Sequence, residues 1–140
     1  SAMKKRMRWV PGVLGLVLSW LAGGCESSDI ATDNTPVSFR LESDLASYSE
    51  VDNYEWETTL EQAVVTVTVA HFTHGDVTLR VFDNRGEVIF RRVWATPYNT
   101  IYVNEDDFIA TGQTDRGQAG QWRIELSFDQ FTGDLDLQLK

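Results

Sequence analysis

From Val37 to Leu139 the apolar positions recur mostly at every second residue, which is the period of a half-buried strand. Val37, Phe39 and Leu41 alternate with Ser38, Arg40 and Glu42. Ser43–Asn53 is polar and without period, and reads as a connection. Tyr54 and Trp56 then alternate with Glu55 and Glu57. Val65, Val67 and Val69 alternate with Thr66 and Thr68 inside the β-branched run Gln62–Phe72. His71–Asp76 has the composition of a turn, and Val77, Leu79 and Val81 resume the alternation. Asp83-Asn84-Arg85-Gly86 predicts a hairpin loop: a type I turn with Gly86 in the left-handed position. Glu87–Trp94 returns as its partner strand. Ala95–Asn99, with Pro97, interrupts the pattern. Thr100–Val103 and Phe108–Thr111 read as short strands around the acidic turn Asn104–Asp107, and Gly112–Gly120 as a polar loop.

The last stretch has the clearest alternation. Trp122, Ile124, Leu126 and Phe128 alternate with Arg123, Glu125, Ser127 and Asp129. After a turn at Thr132-Gly133, Leu135, Leu137 and Leu139 alternate with Asp134, Asp136 and Gln138. One apolar and one charged face per strand is the pattern of antiparallel sheets that bury a single side. The fold class expected is all-β: a two-sheet antiparallel β-sandwich, jelly-roll-like, of about eight or nine strands.

The N-terminal stretch has a different logic. Ser1-Ala2 reads as a cloning scar. Met3–Trp9 carries Lys4, Lys5, Arg6 and Arg8, and an apolar run from Val10 to Leu21 follows. That run is shorter than the roughly 20 residues a spanning helix needs, and it has the length of a signal h-region. Leu21-Ala22-Gly23-Gly24-Cys25 then resembles the end of a bacterial lipoprotein signal, with small residues leading to the lipidated cysteine. The resemblance implies a signal peptide over residues 3–24, lipid attachment at Cys25, and a flexible tether over residues 25–36 ahead of a domain at 37–140. Leu21 stands one place further from Cys25 than is commonest. Glu26, where an Asp favours inner-membrane retention in enteric bacteria, leans toward the outer membrane.

The charge changes with that division. All 21 acidic residues but only 8 of the 12 basic ones follow Cys25, so Glu26–Lys140 carries 8 − 21 = −13. Such a surface disfavours nucleic acid and anionic headgroups. No cysteine follows Cys25, so no disulfide can form within the domain.

Asp52–Leu139 resembles the bacterial pre-peptidase C-terminal domains, and more distantly the P-domain-like jelly-roll sandwiches. The resemblance rests on Asp52–Trp56, Val64–Ala70, Gly75–Asp83 with Gly86, and Gly120–Ile124 with Phe131–Gly133 and Leu135–Leu139. It implies an extracytoplasmic accessory module, in some members binding calcium or a polymer. Peptidase activity belongs to the catalytic domains such modules follow and is not carried over.

Candidate chemistry is sparse. There is no Gly-x-Ser-x-Gly elbow. His71, His74 and Asp76 could supply three zinc ligands or a hydrolytic cleft, but a structural site wants a fourth. Calcium favours loop carboxylates, which points to Asp83 and Glu87 or to Glu105, Asp106 and Asp107. Phe82 falls on the polar face of its strand, where it packs under a loop or joins an exposed apolar patch. Trp94, Pro97 and Tyr98 could form a stacking platform for a sugar or peptide. The functional expectation is a non-catalytic, membrane-anchored module that contacts another envelope protein or a polymer through Phe82, Trp94 and Tyr98. The alternatives are a calcium- or carbohydrate-binding module and a hydrolase at His71, His74 and Asp76. No cofactor other than calcium is implied, and no nucleic-acid partner.

Overall fold

The computed structural model describes residues 28–95 and 108–140. Cys25, Pro97, Tyr98, the Thr100–Val103 strand and the Glu105–Asp107 carboxylates lie outside the described residues. Among the described residues seven strands form in order: β1 (Asp29–Thr35), β2 (Ser38–Tyr48), β3 (Val51–Thr58), β4 (Val64–Phe82), β5 (Val88–Ala95), β6 (Phe108–Gln113) and β7 (Gly120–Leu139). All pairings among them are antiparallel.

β4 and β7 are the frame. They pair with each other almost end to end, from Val65 opposite Leu139 to Phe82 opposite Arg123. Each half of this long ribbon gathers its own neighbours. Val65–Ala70 and Asp134–Leu139 lie between β2 on one side and β6 on the other, and β1 adds to β2. Asp76–Phe82 and Arg123–Asp129 lie between β5 and β3. A five-stranded and a four-stranded layer result, joined through β4 and β7. Their apolar faces meet: Phe39 of β2 lies 6.0 Å from Trp56 of β3, which pairs across the ladder with Trp122 at 5.5 Å. The all-β sandwich expected from the alternation is what the chain forms.

The two expected turns lie within continuous strands, where the paired β4 and β7 fold over together. At Ala70–Asp76 the β4–β7 ladder slips twice. His71 takes φ 55°, Gly75 φ 101° and Gln130 φ 51°, so the paired ribbon folds over at a bulge and passes from one layer to the other. Gly75 is required there, because a Cβ would overlap the Gln130 carbonyl and meet Phe131 Cα at 2.5 Å. Thr132-Gly133 is the matching bend of β7, and Gly133 leaves room for Phe72 and Phe131, stacked at 5.4 Å.

Two further expectations fail. The flexible tether of residues 25–36 is largely a strand, with β1 pairing from Asp29 opposite Asp44 to Thr35 opposite Ser38. β1 is an edge strand whose residues are nearly all exposed, so it shows no apolar alternation. The expected connection Ser43–Asn53 is the end of β2 and the start of β3, with Ser47 at φ 47° marking an irregular ladder.

The core carries Trp56, Trp94 and Trp122, all fully enclosed. Each buried side chain of this size contributes roughly 1.5–3 kcal/mol from apolar burial. Their indoles keep a polar handle where needed: Trp56 Nε1 donates to the Thr35 carbonyl at 2.6 Å and Trp122 Nε1 to Gln118 at 2.9 Å. The sandwich therefore has two distinct ends. Asp29, the bends of β4 and β7, and Ala95 occupy one. The Thr35–Ser38 turn, Thr58–Val64, the Asp83–Glu87 loop and the 114–120 segment occupy the other, tied by Thr59 N to Pro36 O at 3.0 Å, Gly117 N to Glu61 O at 2.8 Å and Asn84 N to Gln118 O at 3.2 Å. At about 3.3 Å per residue, β1 separates the ends by roughly 20 Å.

Candidate functional site

The loop between β4 and β5 is built around Asp83, whose side chain is completely enclosed. Its Oδ1 accepts from the amides of Arg85 at 2.9 Å and Glu87 at 3.0 Å, and its Oδ2 from the Gln118 amide at 2.8 Å. Arg85 adds a weaker guanidinium contact at 3.4 Å. Burial alone would push the Asp83 carboxyl up, but the Gln118, Glu87 and Arg85 amides and the Arg85 charge outweigh it and hold it below the usual range. Gly86 closes the loop at φ 83°, with its amide on the Asp83 carbonyl at 2.9 Å, as its left-handed position in the turn required.

This arrangement bears on calcium. Both Asp83 oxygens already face N–H donors from three residues, so the donor set around Asp83 and Glu87 does not fit a cation. Glu87 is exposed and lies 3.3 Å from Arg85. Among the described residues no three His, Cys, Asp or Glu side chains come together as metal ligands.

Beside the loop, β3, β7 and β4 place Glu55, Arg123 and Phe82 in one cross-strand row on the outer face of the four-stranded layer. A shallow depression of about 270 Å³ opens here, bordered by Glu55, Phe82, Asn84, Gln121, Trp122 and Arg123. Gln121 Nε2 donates to Glu55 Oε1 at 2.6 Å, and the Gln121 amide donates to Asn84 Oδ1 at 3.0 Å. Gly120, at φ 132°, makes room for Asn84, because a Cβ would come within 2.7 Å of Asn84 Cγ. Arg123 lies over the Phe82 ring at 3.9 Å and donates from Nη1 to Asn53 Oδ1 at 2.7 Å. The nearly buried Glu125 carboxylate ties this arginine to Arg80, accepting Arg80 Nε at 2.7 Å and Arg123 Nη1 at 3.4 Å. What converges is a carboxylate, two amides and a guanidinium, held by one another beside an aromatic floor. Such a set donates and accepts hydrogen bonds in a small area.

The expected contact surface is taken apart by the structure. Trp94 is not on a loop: β5 continues to Ala95, and Trp94 opposite Val77 points into the core at 2% exposure. Phe82 does face outward, but Arg123 and Arg80 cover it, leaving 8% exposed. It is a floor under guanidinium groups and offers no open apolar patch. Tyr98 lies outside the described residues.

His71, His74 and Asp76 do not converge either. They sit on the β4 bend at the opposite end from the depression. His71 Nδ1 is 2.9 Å from Asp134 Oδ2, and His74 Nδ1 contacts Thr73 Oγ1 at 3.2 Å. Asp134 in turn stands opposite Asp44 in the β2–β7 ladder. A shared hydrogen bond and the Asp134 charge push the Asp44 carboxyl up. With Glu42 and Asp136, these residues form an acidic patch on the outer face of the five-stranded layer.

The residues missed were Glu55, Asn84, Gln121 and Arg123. In the sequence they are ordinary polar positions of alternating strands and a loop; the signal for them would have been the strand register.

No family model and no curated protein matches the chain. Among solved structures it is similar to TmCBM61, determined in complex with beta-1,4-galactotriose, at 15% identity over 79% of this chain and 83% of that one, with a TM-score of 0.42. It is also similar to the enzymatically active domain of bacteriophage CBA120 tailspike protein 4, at 12% identity over 82% of this chain and 17% of that one, with a TM-score of 0.41. Likenesses of that size leave the function to be argued from the geometry.

Proposed function

We propose that Glu26–Lys140 is a non-catalytic binding module of the bacterial envelope, anchored through lipid on Cys25, preferably in the outer membrane, and that its ligand is a polysaccharide. The observation that carries the ligand is the depression beside Arg123. Sugar hydroxyls both donate and accept hydrogen bonds, and Glu55, Asn84, Gln121 and Arg123 offer both kinds of partner within one small, open area. The depression is open at the surface, so a chain seated in it can continue on either side. The two histidines, the residues best suited to acid–base chemistry near neutrality, lie at the other end of the sandwich.

The position of β1 supports the same picture. With the strand starting at Asp29, only Glu26–Ser28 separates it from Cys25, a reach of at most roughly 14 Å. A lipid on Cys25 would hold the Asp29 end toward the bilayer and turn the depression outward, about 20 Å farther from the membrane.

Two measurements test this. Bacteria producing the full chain are fed a clickable fatty acid: label is expected on the wild type and lost, with release from membranes, in Cys25→Ser. The purified protein is titrated with soluble envelope and plant polysaccharides while tryptophan emission is followed, since Trp122 borders the depression. A saturable change, weakened about tenfold by Gln121→Ala, is expected; a flat response to every polymer refutes the polysaccharide reading.

A further inference from the structure

We infer that the polymer taken at this depression is uncharged; the inference rests on the polysaccharide reading above and names its ligand class. The argument has a local and a global part. Locally, Arg123 is the cation of the depression, and its charge is already engaged. It lies on Phe82, donates to Asn53, and shares the Glu125 carboxylate with Arg80. Glu55 stands directly across the ladder from Arg123. At the border of the depression the charges of Arg123 and Glu55 cancel and Glu125 offsets Arg80 behind them, so a uronate or sulfate seated there finds no surplus positive charge; the next cation, Arg91, stands beyond Arg80 in the ladder. It would also meet the Glu55 carboxylate, whose second oxygen makes no hydrogen bond among the described residues.

Globally, the −13 of Glu26–Lys140 repels a polyanion at separations up to the Debye length, about 8 Å in physiological salt. A neutral polymer pays no such penalty. What remains on offer suits it: Asn84 keeps its Nδ2 donors, Gln121 its Oε1 acceptor, Glu55 its second oxygen, and Arg123 further N–H groups. Neighbouring hydroxyls of a neutral sugar match this alternation, with each hydroxyl giving one hydrogen bond and taking another. Carboxylate acceptors make the stronger bonds of such a set.

The test is a titration of the purified full chain with two panels. One contains neutral glucans, mannans and galactans; the other contains polygalacturonate, alginate and a sulfated glycan. Each is read by tryptophan emission and calorimetry at low and at about 0.3 M salt, where exposed charges are screened. The expected result is binding within the neutral panel, changed less than about twofold by salt, and weakened about tenfold or more by Glu55→Gln. Gln121→Ala is expected to weaken it similarly. Glu55→Gln is isosteric at an exposed position, so it keeps the test valid if Gln121→Ala disturbs the Asn84 contact. Binding confined to the acidic panel and lost at high salt overturns the inference and leaves the polysaccharide reading standing. Neutral binding that is indifferent to both substitutions overturns the inference, because the ligand then sits elsewhere. Silence in both panels overturns the polysaccharide reading itself.

Discussion

Asp83 is the residue on which the candidate site hangs, and its removal has a calculable cost. The carboxylate closes the β4–β5 loop through the Arg85 and Glu87 amides and joins it to the 114–120 segment through the Gln118 amide; Asn84 stands in that loop, and Gln121 at the start of β7 just after the segment. In Asp83→Ala all three amides lose their acceptor. The Arg85 and Glu87 amides belong to exposed residues and can rehydrate, at about 1 kcal/mol each; the Gln118 amide loses the link between segments, at about 1.5 kcal/mol. The expected loss is about 3–4 kcal/mol, a large share of the 5–15 kcal/mol typical of a domain. In thermal unfolding it lowers Tm by about 12 °C or more. Asp83→Asn keeps one oxygen for Arg85 and Glu87 but can turn an NH₂ toward the Gln118 amide, so about 2 kcal/mol is expected.

The pH dependence separates this from simple packing. The Asp83 carboxyl is held below its ordinary range in the folded state. Its stabilisation is therefore complete above the unfolded value near 3.9 and is lost as pH falls through the lower folded value. Urea unfolding across pH should give a constant gap between wild type and Asp83→Asn from about pH 7 to 5, narrowing below about pH 4. Unfolding midpoints within about 0.5 kcal/mol of each other at pH 7, or a gap that widens in acid, would refute the account.

Two more expectations follow from the bends and the acidic patch. Gly75→Ala forces a Cβ into the β7 backbone at φ 101° and should cost at least about 3 kcal/mol, whereas Gly86→Ala, at φ 83° with nothing within 4 Å, should cost about 1 kcal/mol; equal effects in urea unfolding would mean the bulge is not packed as described. The Asp44 carboxyl, followed by carbon-detected NMR, should titrate above an ordinary aspartate and fall toward it in Asp134→Asn, which removes the shared hydrogen bond and the charge. By linkage, a raised folded value means that Asp44 disfavours the folded state as pH rises through the window between its unfolded and folded values. Stability of Asp134→Asn relative to wild type should therefore grow on passing from below pH 4 to neutrality, and an unchanged difference would count against the pairing.

How much of this was legible depends on which neighbour a feature needs. The alternation of Val65–Val69, Val77–Val81, Trp122–Phe128 and Leu135–Leu139 marks which side chains face inward, and every one of those apolar residues at the alternating positions is buried. The Asp83–Gly86 loop was readable because a tight turn is local. The turns at His71–Asp76 and Thr132-Gly133 were readable for the same reason, but not that β4 and β7 stay paired through them, since that depends on what lies across the ladder. β1 was invisible for a related reason: an edge strand exposed on nearly all its residues carries no period. Phe82 shows the limit most clearly. Its outward position was correctly read from the alternation, yet it is covered, because Arg123, more than forty residues later in the chain, lies opposite it. Core positions are specified by their own apolarity. The polar positions between them acquire a chemical role only through the cross-strand row they fall into, and Glu55, Arg123 and Phe82 come from three strands whose order no single-strand pattern encodes.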